Sequence, residues 1–514
     1  MMRPSCILPF VTRRKIPSSL SVIPSINNAV ARASSNRAHS SMPLPSFDDE
    51  KESRIRSETS QASANQQLLQ KKMPAFQRPS CIEPKKEQAK KQPSTIPTHV
   101  TYTGDMTLPI TSKLKLTLPN DETPSGSWPL FRLMDEDGHL RIQDNVIPNI
   151  VNLYDTKSAL HAHRLMIRLT QMDDIFLNAQ RQGRISFYMS CRGEEAIHIG
   201  AAAALSLKDV ILAQYREAGV LMYRGFTLDQ FADQCFSNKN DLGRGRQMPV
   251  HYGSRALNFH TISSPLGTQL PQAVGVGYRL KMENERQEQE SKKGCAVAFF
   301  GDGSASTGDF HTACNFAATL EVPSIFFCRN NGFAISTSVE EQYRGDGIVS
   351  RAPGYGMAAI RVDGNDLFAV NAVMKVARRY AIEHSKPVMV EAMTYRQSHH
   401  STSDDSTRYR DVKEINRWAS DGDPVNRFNN FLDNAKWQGG MDGENVELYI
   451  KRVRDEERFA VLRAMEQAEK KQDPDLSTMF EDVYHEKPHH LKRQEKELLE
   501  HVKRNKEYYA AGSH

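Results

Sequence analysis

One stretch of the sequence, residues 294–331, limits most strongly what this chain can fold into. It contains an apolar run at 295–300, apolar residues at helical spacing across 308–320, and a second apolar run at 324–328 after Pro323. These patterns predict a strand, a helix and a second strand. Because a helical crossover joins parallel strands, the two strands should be neighbours in one sheet. The chain is therefore predicted to be an α/β protein.

Polar residues follow both predicted strands. Asp302 stands between two glycines after the first strand, and Asn331 ends the second. The carboxyl ends of parallel strands meet at one edge, where open α/β sheets bind ligands. Carboxylate and amide oxygens suit Mg²⁺, which completes its shell with phosphate and water, and the glycines let backbone amides approach a phosphate. A turn of sequence GDG is common by itself, but its combination with Asn330-Asn331 predicts a diphosphate held through Mg²⁺.

The N-terminal composition indicates targeting. Residues 1–42 contain six Arg or Lys residues, many serines and no acidic residue, which is typical of a mitochondrial transit peptide; a plain basic tail is the alternative. Without these six charges the formal net charge falls from +5 to −1, so we expect no nucleic-acid binding. No apolar run is long enough for a membrane span, so we expect no membrane insertion. The seven cysteines form no CxxC pair, so buried free thiols are expected.

Composition and periodicity divide the chain further. Residues 43–98, rich in Pro, Ser, Gln and Lys, are predicted to form a disordered linker. Residues 99–149 are predicted to be an extension of short strands and turns, with Trp128, Phe131 and Leu133 as packing residues. The α/β domain is expected at 150–420, followed by a charged helical region at 421–514 whose clearest amphipathic run is 449–470.

Several segments of the predicted domain carry candidate site residues. Strands are predicted at 185–189 and 209–214, and Arg216 after the second would suit an anion or pair with Glu217. Residues 237–262 are predicted to be a long loop. The oxygen-rich segment 263–269 favours either helix capping or a monovalent cation and cofactor contact. Residues 397–411 are polar, and we expect them to be mobile unless a ligand orders them.

Seven motifs occur in order and carry a resemblance to a known family: YREAG, GRQMPVHYG, ISSPLGTQ, GDG with NN, QYRGDGI, RVDGND and SHHSTSDDS. Over about residues 99–510 the chain resembles the alpha subunits of the branched-chain 2-oxo acid dehydrogenase decarboxylase component. The family implies the thiamine diphosphate-binding fold, a mostly parallel sheet with helices on both faces and a helical C-terminal extension. It also implies oxidative decarboxylation of branched-chain 2-oxo acids with acyl transfer to a lipoyl group in the mitochondrial matrix.

The resemblance implies a set of site residues. The expected Mg²⁺ ligands are Asp302, Asn331 and the backbone carbonyl of Phe333. The expected thiamine diphosphate contacts form two groups: Tyr215, Arg216, Arg329 and His400 at the diphosphate, and Ser264 and Leu266 near the aminopyrimidine. Asp302 and Gly303 complete the expected cofactor-binding residues. The expected K⁺ ligands are Ser263, Pro265, Thr268 and Gln269, and the expected apolar substrate pocket is Phe187, Tyr215 and Leu266. His400 is the expected catalytic residue and Ser401 the expected phosphorylation site.

The resemblance also implies partners. The carboxylate that activates the cofactor belongs to a pyrimidine-binding domain, and this chain contains no second α/β domain of that type. We therefore expect a beta subunit in an α₂β₂ assembly, a lipoyl transacylase core, and a regulatory kinase and phosphatase. Asp411 stands where many relatives have a second phosphorylatable serine, so control should rest on Ser401.

Three alternatives differ in what they predict. A pyruvate or acetoin dehydrogenase alpha subunit would share the fold, but the loop at 245–251 lacks the GGSMHM-like sequence usual in pyruvate-directed relatives. A non-catalytic regulatory paralogue would not need Asp302, Asn331, Arg216 and His400. A dinucleotide-binding Rossmann protein would need a GxGxxG motif after a strand, and the sequence has none in that position.

Overall fold

The computed structural model describes residues 99–102, 106–141, 147–435 and 445–508, all within one unit, Pro93–His514. The predicted transit peptide at 1–42 and nearly all of the predicted linker at 43–98 lie outside the described residues. No helix among the described residues combines the length and apolarity needed to span a bilayer.

Eight strands form the main sheet of the described residues. They are β1 His99–Thr101, β2 Thr107–Thr111, β3 Leu130–Phe131, β4 Val210–Leu212, β5 Ala296–Gly301, β6 Ser324–Asn330, β9 Ala358–Asp363 and β10 Val388–Met393. Their spatial order is β1-β2-β3-β9-β10-β6-β5-β4, and every pairing is parallel except β1 with β2. Two short strands, β7 Phe333–Ala334 and β8 Thr337–Ser338, form a separate antiparallel hairpin.

Helices connect and cover these strands. In chain order they are α1 Ile147–Ile150, α2 Thr156–Arg181, α3 Glu195–Ala203, α4 Ala218–Tyr223, α5 Leu228–Cys235, α6 Gln269–Asn284 and α7 Gly308–Thr319. They continue with α8 Val339–Gln342, α9 Ala352–Tyr355, α10 Leu367–His384, α11 Val412–Ser420, α12 Pro424–Asn434, α13 Val446–Glu469 and α14 His489–Arg504. The predicted helical C-terminal region is thus confirmed over the described residues.

The strand–helix–strand unit predicted from residues 294–331 is confirmed as β5, α7 and β6. Pairing in β5 and β6 sets Gly301 opposite Arg329. Because the strands are parallel and in this register, the residues that follow them leave the sheet side by side at one edge. The register therefore brings the Asp302 turn and the Asn331 turn together.

Alternating residues of the strands enter two separate cores. Val297, Phe299 and Phe327 belong to a core with α2, α3, α10 and α13. Phe300 and Phe326 belong to a second core with α6, α7 and α9. Since successive strand side chains point to opposite faces, the sheet is covered on both faces, as a continuous apolar strand pattern predicts.

The structure changes the prediction for two segments. Residues 99–141, predicted to be an extension of short strands and turns, instead supply three strands of the main sheet. Trp128, Phe131 and Leu133 in this segment are buried as predicted. The strand predicted at 185–189 is wrong, because this segment pairs with no strand among the described residues. Its apolar residues instead pack on α2, where Asp173 accepts hydrogen bonds from the Tyr188 hydroxyl (2.8 Å) and the Cys191 amide (2.6 Å). The described cysteines are free and buried, as expected.

Glu195 is the first residue of α3, and its buried carboxyl accepts hydrogen bonds from the segment before α3 and from α2. Its Oε2 accepts the Gly193 amide at 2.9 Å and its Oε1 accepts the Thr170 hydroxyl at 3.3 Å. Burial raises the pKa of this carboxyl from 4.5 to about 8. The folded protein therefore binds this proton more tightly than the unfolded chain does. This contribution to stability is complete below pH 4.5 and is lost as the pH rises through about 8.

We predict that Glu195→Gln makes stability less dependent on pH. Raising the pH from about 6 to about 8 removes a proton that only the folded state binds, which lowers the free energy of unfolding by about 2 kcal/mol. Glutamine cannot bind this proton, so the substitution removes that pH-dependent component. Urea denaturation at a series of pH values measures the slope. The exposed Glu383→Gln should keep the wild-type slope. An unchanged slope in Glu195→Gln would contradict the assignment of a raised pKa to this carboxyl.

Candidate functional site

The turn after β5 brings a carboxylate to the edge of the sheet. Asp302 begins a 3₁₀ turn, Asp302–Ser306, which leads into α7 through the N-cap Thr307. Gly303 is required here by close approach, because a Cβ atom at this position would lie 2.6 Å from the Cβ of Ala334. The tight packing presses the turn against the hairpin β7–β8.

The turn after β6 presents an amide beside it. The Asn331 Nδ2 donates to Glu194 Oε1 at 2.8 Å, which directs Oδ1 away from that carboxylate. Gly332 has φ +84°, and this left-handed conformation turns the chain so that Phe333 begins β7. Asn331 and Phe333 are buried. The structure thus brings the three predicted metal ligands into two neighbouring turns.

Asp302 is a buried carboxylate without a cationic partner among the described residues. It is buried, and its one hydrogen-bonded side chain is the neutral amide of Gln342, at 2.7 Å. Among the ion pairs of the described residues none involves Asp302, and burial raises the pKa of its carboxyl. A divalent cation would supply the missing charge. No cluster of three or more His, Cys, Asp or Glu in the described part could hold a metal by itself.

Arg216 faces the same edge from the turn after β4. Its guanidinium is buried, and its Nη1 donates to the Ser190 carbonyl and its Nη2 to the carbonyl of His400. The Tyr215 and His400 rings meet edge to face with centroids 6.0 Å apart. The alternative pairing of Arg216 with Glu217 is not formed, because Glu217 pairs with Arg329. Three of the four predicted diphosphate contacts therefore lie together.

A second buried guanidinium, Arg396, lies on the other side of His400. Its Nη1 is 3.3 Å from His400 Nδ1, and its Nη2 donates to the Ile335 carbonyl and to the Tyr409 hydroxyl. Burial and the nearby Arg216 lower the pKa of Arg396 to about 10. Neither Arg216 nor Arg396 forms an ion pair within the described ranges. Two buried cations without a carboxylate partner are suited to binding an anion.

His400 is uncharged in this setting. Burial, Arg216 and Arg396 lower the pKa of its imidazole to about 3. Both guanidiniums approach Nδ1, at 3.4 and 3.3 Å, so Nδ1 is the acceptor and Nε2 carries the proton. His400 can therefore donate a hydrogen bond from Nε2 at physiological pH.

Arg329 is held differently from Arg216 and Arg396. Its guanidinium is buried between two carboxylates: Nη1 donates to Glu194 Oε2 at 3.0 Å, and Nε donates to Glu217. Nη2 lies toward Gly301, 3.9 Å from the position of a Cβ built on that residue. Only this part of the guanidinium is left for the predicted contact with a diphosphate.

The 263–269 segment forms a turn of converging oxygens. The Thr268 hydroxyl donates toward Ser263 Oγ and the Pro265 carbonyl, both at 3.1 Å. Thr268 is the N-cap of α6, but its side chain makes no capping hydrogen bond. Thr268 therefore does not cap the helix through its side chain, and the other interpretation, a monovalent cation with cofactor contact, stays a prediction. Gln269 lies beside them, with its Nε2 bonded to the Phe299 carbonyl at 3.1 Å.

The remaining predicted contacts surround this turn. Ser264 Oγ lies 2.8 Å from His251 Nε2, and His251 Nδ1 lies 3.0 Å from the Pro249 carbonyl, so Nδ1 donates and Nε2 accepts. Leu266 is 41% exposed, whereas Phe187 and Tyr215 are partly buried against the first core. The apolar side chain of Leu266 is thus available to a ligand or to another chain.

The 397–411 segment is tied down by Asp404. Asp404 Oδ2 accepts the His400 amide at 2.7 Å and the Tyr409 hydroxyl at 2.6 Å. Ser401 is half-buried on the turn closed by the Asp404 amide and the Ser401 carbonyl, at 3.2 Å. Asp411 serves as the N-cap of α11 and accepts the Lys413 amide at 2.8 Å. A cavity of about 340 Å³ separates this segment from the end of α2.

Sequence reasoning assigned no site role to four residues: Glu194, Gln342, Arg396 and His251. Arg396 had the same signal as Arg216, because it follows an apolar run at 388–395 that predicts a strand. Gln342 and His251 belong to two of the quoted motifs, QYRGDGI and GRQMPVHYG. Glu194 gave no signal, because its partner Asn331 is 137 residues away along the chain.

Comparison with known proteins adds a family and its relatives. The dehydrogenase E1 component family matches residues 163–477. The chain is 49% identical to 2-oxoisovalerate dehydrogenase subunit alpha 1, mitochondrial, of Arabidopsis thaliana, over 76% of this chain and 79% of that protein. It is 50% identical to the corresponding alpha subunit of Dictyostelium discoideum, over 73% and 81%. With that of Caenorhabditis elegans, the identity is 47% over 79% and 90%.

Proposed function

This chain belongs to the dehydrogenase E1 component family, and we propose that it is the alpha subunit of a mitochondrial branched-chain 2-oxo acid dehydrogenase. The reaction is the thiamine diphosphate-dependent oxidative decarboxylation of branched-chain 2-oxo acids, with acyl transfer to a lipoyl group on a transacylase core. It is the reaction of a 3-methyl-2-oxobutanoate dehydrogenase. The similarity to 2-oxoisovalerate dehydrogenase alpha subunits across about three quarters of the chain supports this substrate class.

One observation carries the proposal: the charges left unpaired at the sheet edge. Arg216 and Arg396 are buried cations without a carboxylate partner, and Asp302 is a buried carboxylate without a cation. A diphosphate would neutralise the guanidiniums, and Mg²⁺ held at Asp302 would neutralise that carboxylate. The residues present therefore fit thiamine diphosphate with Mg²⁺.

Named residues would hold the cofactor. As the family resemblance implies, Tyr215, Arg216, Arg329 and His400 would contact the diphosphate. Gly303 would lie in the turn beside it, and Ser264 and Leu266 would contact the aminopyrimidine. Asp302, Asn331 and the Phe333 carbonyl would ligate Mg²⁺, and Ser263, Pro265, Thr268 and Gln269 would hold K⁺. The bound cofactor supplies the electron sink for decarboxylation. His400 keeps a proton on Nε2, from which it can donate to a reacting oxygen.

The proposed substrate pocket and the proposed partner proteins also involve the carboxyl edge of the sheet. Phe187, Tyr215 and Leu266 would form apolar walls suited to a branched side chain. The exposed side of Leu266 and the need for an activating carboxylate support completion of the site by a beta subunit, in an α₂β₂ assembly. A lipoyl transacylase core would accept the acyl group, and a kinase and a phosphatase would act on Ser401.

We predict that Asp302→Ala removes cofactor binding without unfolding the protein. Outer-shell partners alone contribute about 10–100-fold to metal affinity, so loss of a charged ligand should weaken Mg²⁺-dependent binding by more than about 100-fold. Calorimetry of the assembled enzyme with thiamine diphosphate and Mg²⁺ measures this. The exposed Asp309→Ala removes a carboxylate from the same segment and should bind normally. Wild-type affinity in folded Asp302→Ala would overturn the metal assignment.

We predict that the chain is inactive without its beta subunit. Purified alone, it should bind thiamine diphosphate weakly and release no CO₂ from branched-chain 2-oxo acids, because the activating carboxylate is absent. Co-expression with a beta subunit should restore turnover, and pyruvate should be a poor substrate of that assembly. Decarboxylation by the purified lone chain would contradict the proposed division of the site.

We predict that phosphorylation of Ser401 inactivates the assembled enzyme. A phosphate would add about −1.5 to −2 charges on the turn closed by Asp404, next to Asp405. Repulsion should pull Asp404 from the His400 amide and the Tyr409 hydroxyl and thereby release the loop.

Site-specific incorporation of phosphoserine tests this at two positions. Phosphoserine at 401 should lower kcat at least about 10-fold and make the 397–411 segment accessible to protease. Phosphoserine at the exposed position 403 is the matched control and should inhibit less. Full activity with stoichiometric phosphoserine at 401 would refute the switch.

A further inference from the structure

Gln342, the last residue of α8, has its amide orientation determined by its neighbours. Its Nε2 donates to Asp302 Oδ2 at 2.7 Å and to the Thr337 carbonyl at 3.1 Å. Both partners can only accept while Asp302 is ionised. Rotating the amide by half a turn would place Oε1 against two oxygens. The NH₂ group must therefore face Asp302.

This orientation leaves Oε1 without a donor. Oε1 is buried, and nothing in the described part of the chain donates a hydrogen bond to it. A buried acceptor without a hydrogen bond destabilises a folded protein. Because Oε1 and Nε2 share one amide, the unsatisfied oxygen lies next to the carboxylate of Asp302. A ligand bound by Asp302 can therefore supply the missing donor.

The position of α8 is fixed by the same structure that carries Asn331. The Val339 amide donates to the Gly332 carbonyl at 3.0 Å, which joins α8 to the turn after β6. The next residue, Tyr343, accepts the Asn330 Nδ2 at 3.0 Å, and Asn330 also donates to the buried Glu391 at 2.8 Å. Gln342 is therefore held at a set distance from both turns of the site.

We propose that Gln342 is a positioning residue for a hydrated divalent cation at Asp302. Its NH₂ group holds the carboxylate in place, and its Oε1 accepts a hydrogen bond from a water bound to the cation. Mg²⁺ keeps several waters in protein sites, so it offers such donors, whereas the carboxylate itself offers none. This inference rests on the proposed function, because it assumes that Asp302 is a metal ligand.

A merely structural role for Gln342 makes different predictions. If its amide only tethers α8 through Thr337, its loss should lower thermal stability and leave the affinity for divalent cations unchanged. A positioning role should change the concentration of Mg²⁺ that is needed, and should change little else once Mg²⁺ is saturating.

The test uses Gln342→Met in the assembled enzyme, since methionine keeps the length of the side chain without its hydrogen bonds. Gln342→Asn, which keeps an amide but cannot reach Asp302, is the second variant. The readouts are the Mg²⁺ dependence of thiamine diphosphate binding by calorimetry, and direct Mn²⁺ binding by electron paramagnetic resonance. We expect the apparent Kd for both cations to rise about 10-fold or more, with kcat at saturating Mg²⁺ within about 3-fold of wild type.

Two controls separate the possible failures. Glu341→Gln changes an exposed neighbour on α8 and should leave cation affinity unchanged. Asp302→Ala should abolish cation binding; if it does not, the proposed metal site is wrong. If Asp302→Ala abolishes binding while both Gln342 variants bind Mg²⁺ and Mn²⁺ as wild type does, the proposal for Gln342 is overturned and the metal site stands.

Discussion

Much of the site depends on one buried guanidinium. Arg329 extends from β6 and pairs with Glu194, at the start of α3, and with Glu217, at the start of α4. Although burial disfavours a charged carboxyl, Arg329 lowers the pKa of Glu194, while burial raises the pKa of Glu217. Glu194 is therefore ionised at neutral pH, and it in turn accepts a hydrogen bond from the amide of Asn331. Breaking such a pair leaves an uncompensated buried charge, which destabilises by about 3–5 kcal/mol.

The two kinds of buried charge at this edge have opposite consequences. Arg329 and Glu194 neutralise each other and fix the strands and helices in place. Arg216, Arg396 and Asp302 have no ion-pair partner within the described ranges, so the protein without a ligand carries their desolvation penalty. A ligand that brought both an anion and a cation would relieve the penalty at all three residues.

The sequence predicted those strands, helices and site residues that depend on local residue patterns. The apolar runs around residues 294–331 predicted β5, α7 and β6, and parallel pairing alone brought Asp302 to Asn331. It failed at 185–189, because Asp173 satisfies that segment from α2 and no pattern in the segment shows this. It also left out Glu194 and His251, since their roles come from tertiary neighbours. Motif resemblance could not show that Arg329 is already neutralised while Arg216 is not.

The proposed phosphorylation site and the proposed diphosphate site share one hydrogen-bond network. Asp404 joins the His400 backbone to the Tyr409 hydroxyl, and Tyr409 accepts a hydrogen bond from Arg396. Ser401 is one turn away from Asp404 and directly follows His400. A charge placed on Ser401 would therefore act on the proposed anion site through two or three hydrogen bonds. Such a switch needs no distant conformational pathway, because the groups that would bind the diphosphate also hold the 397–411 segment in place.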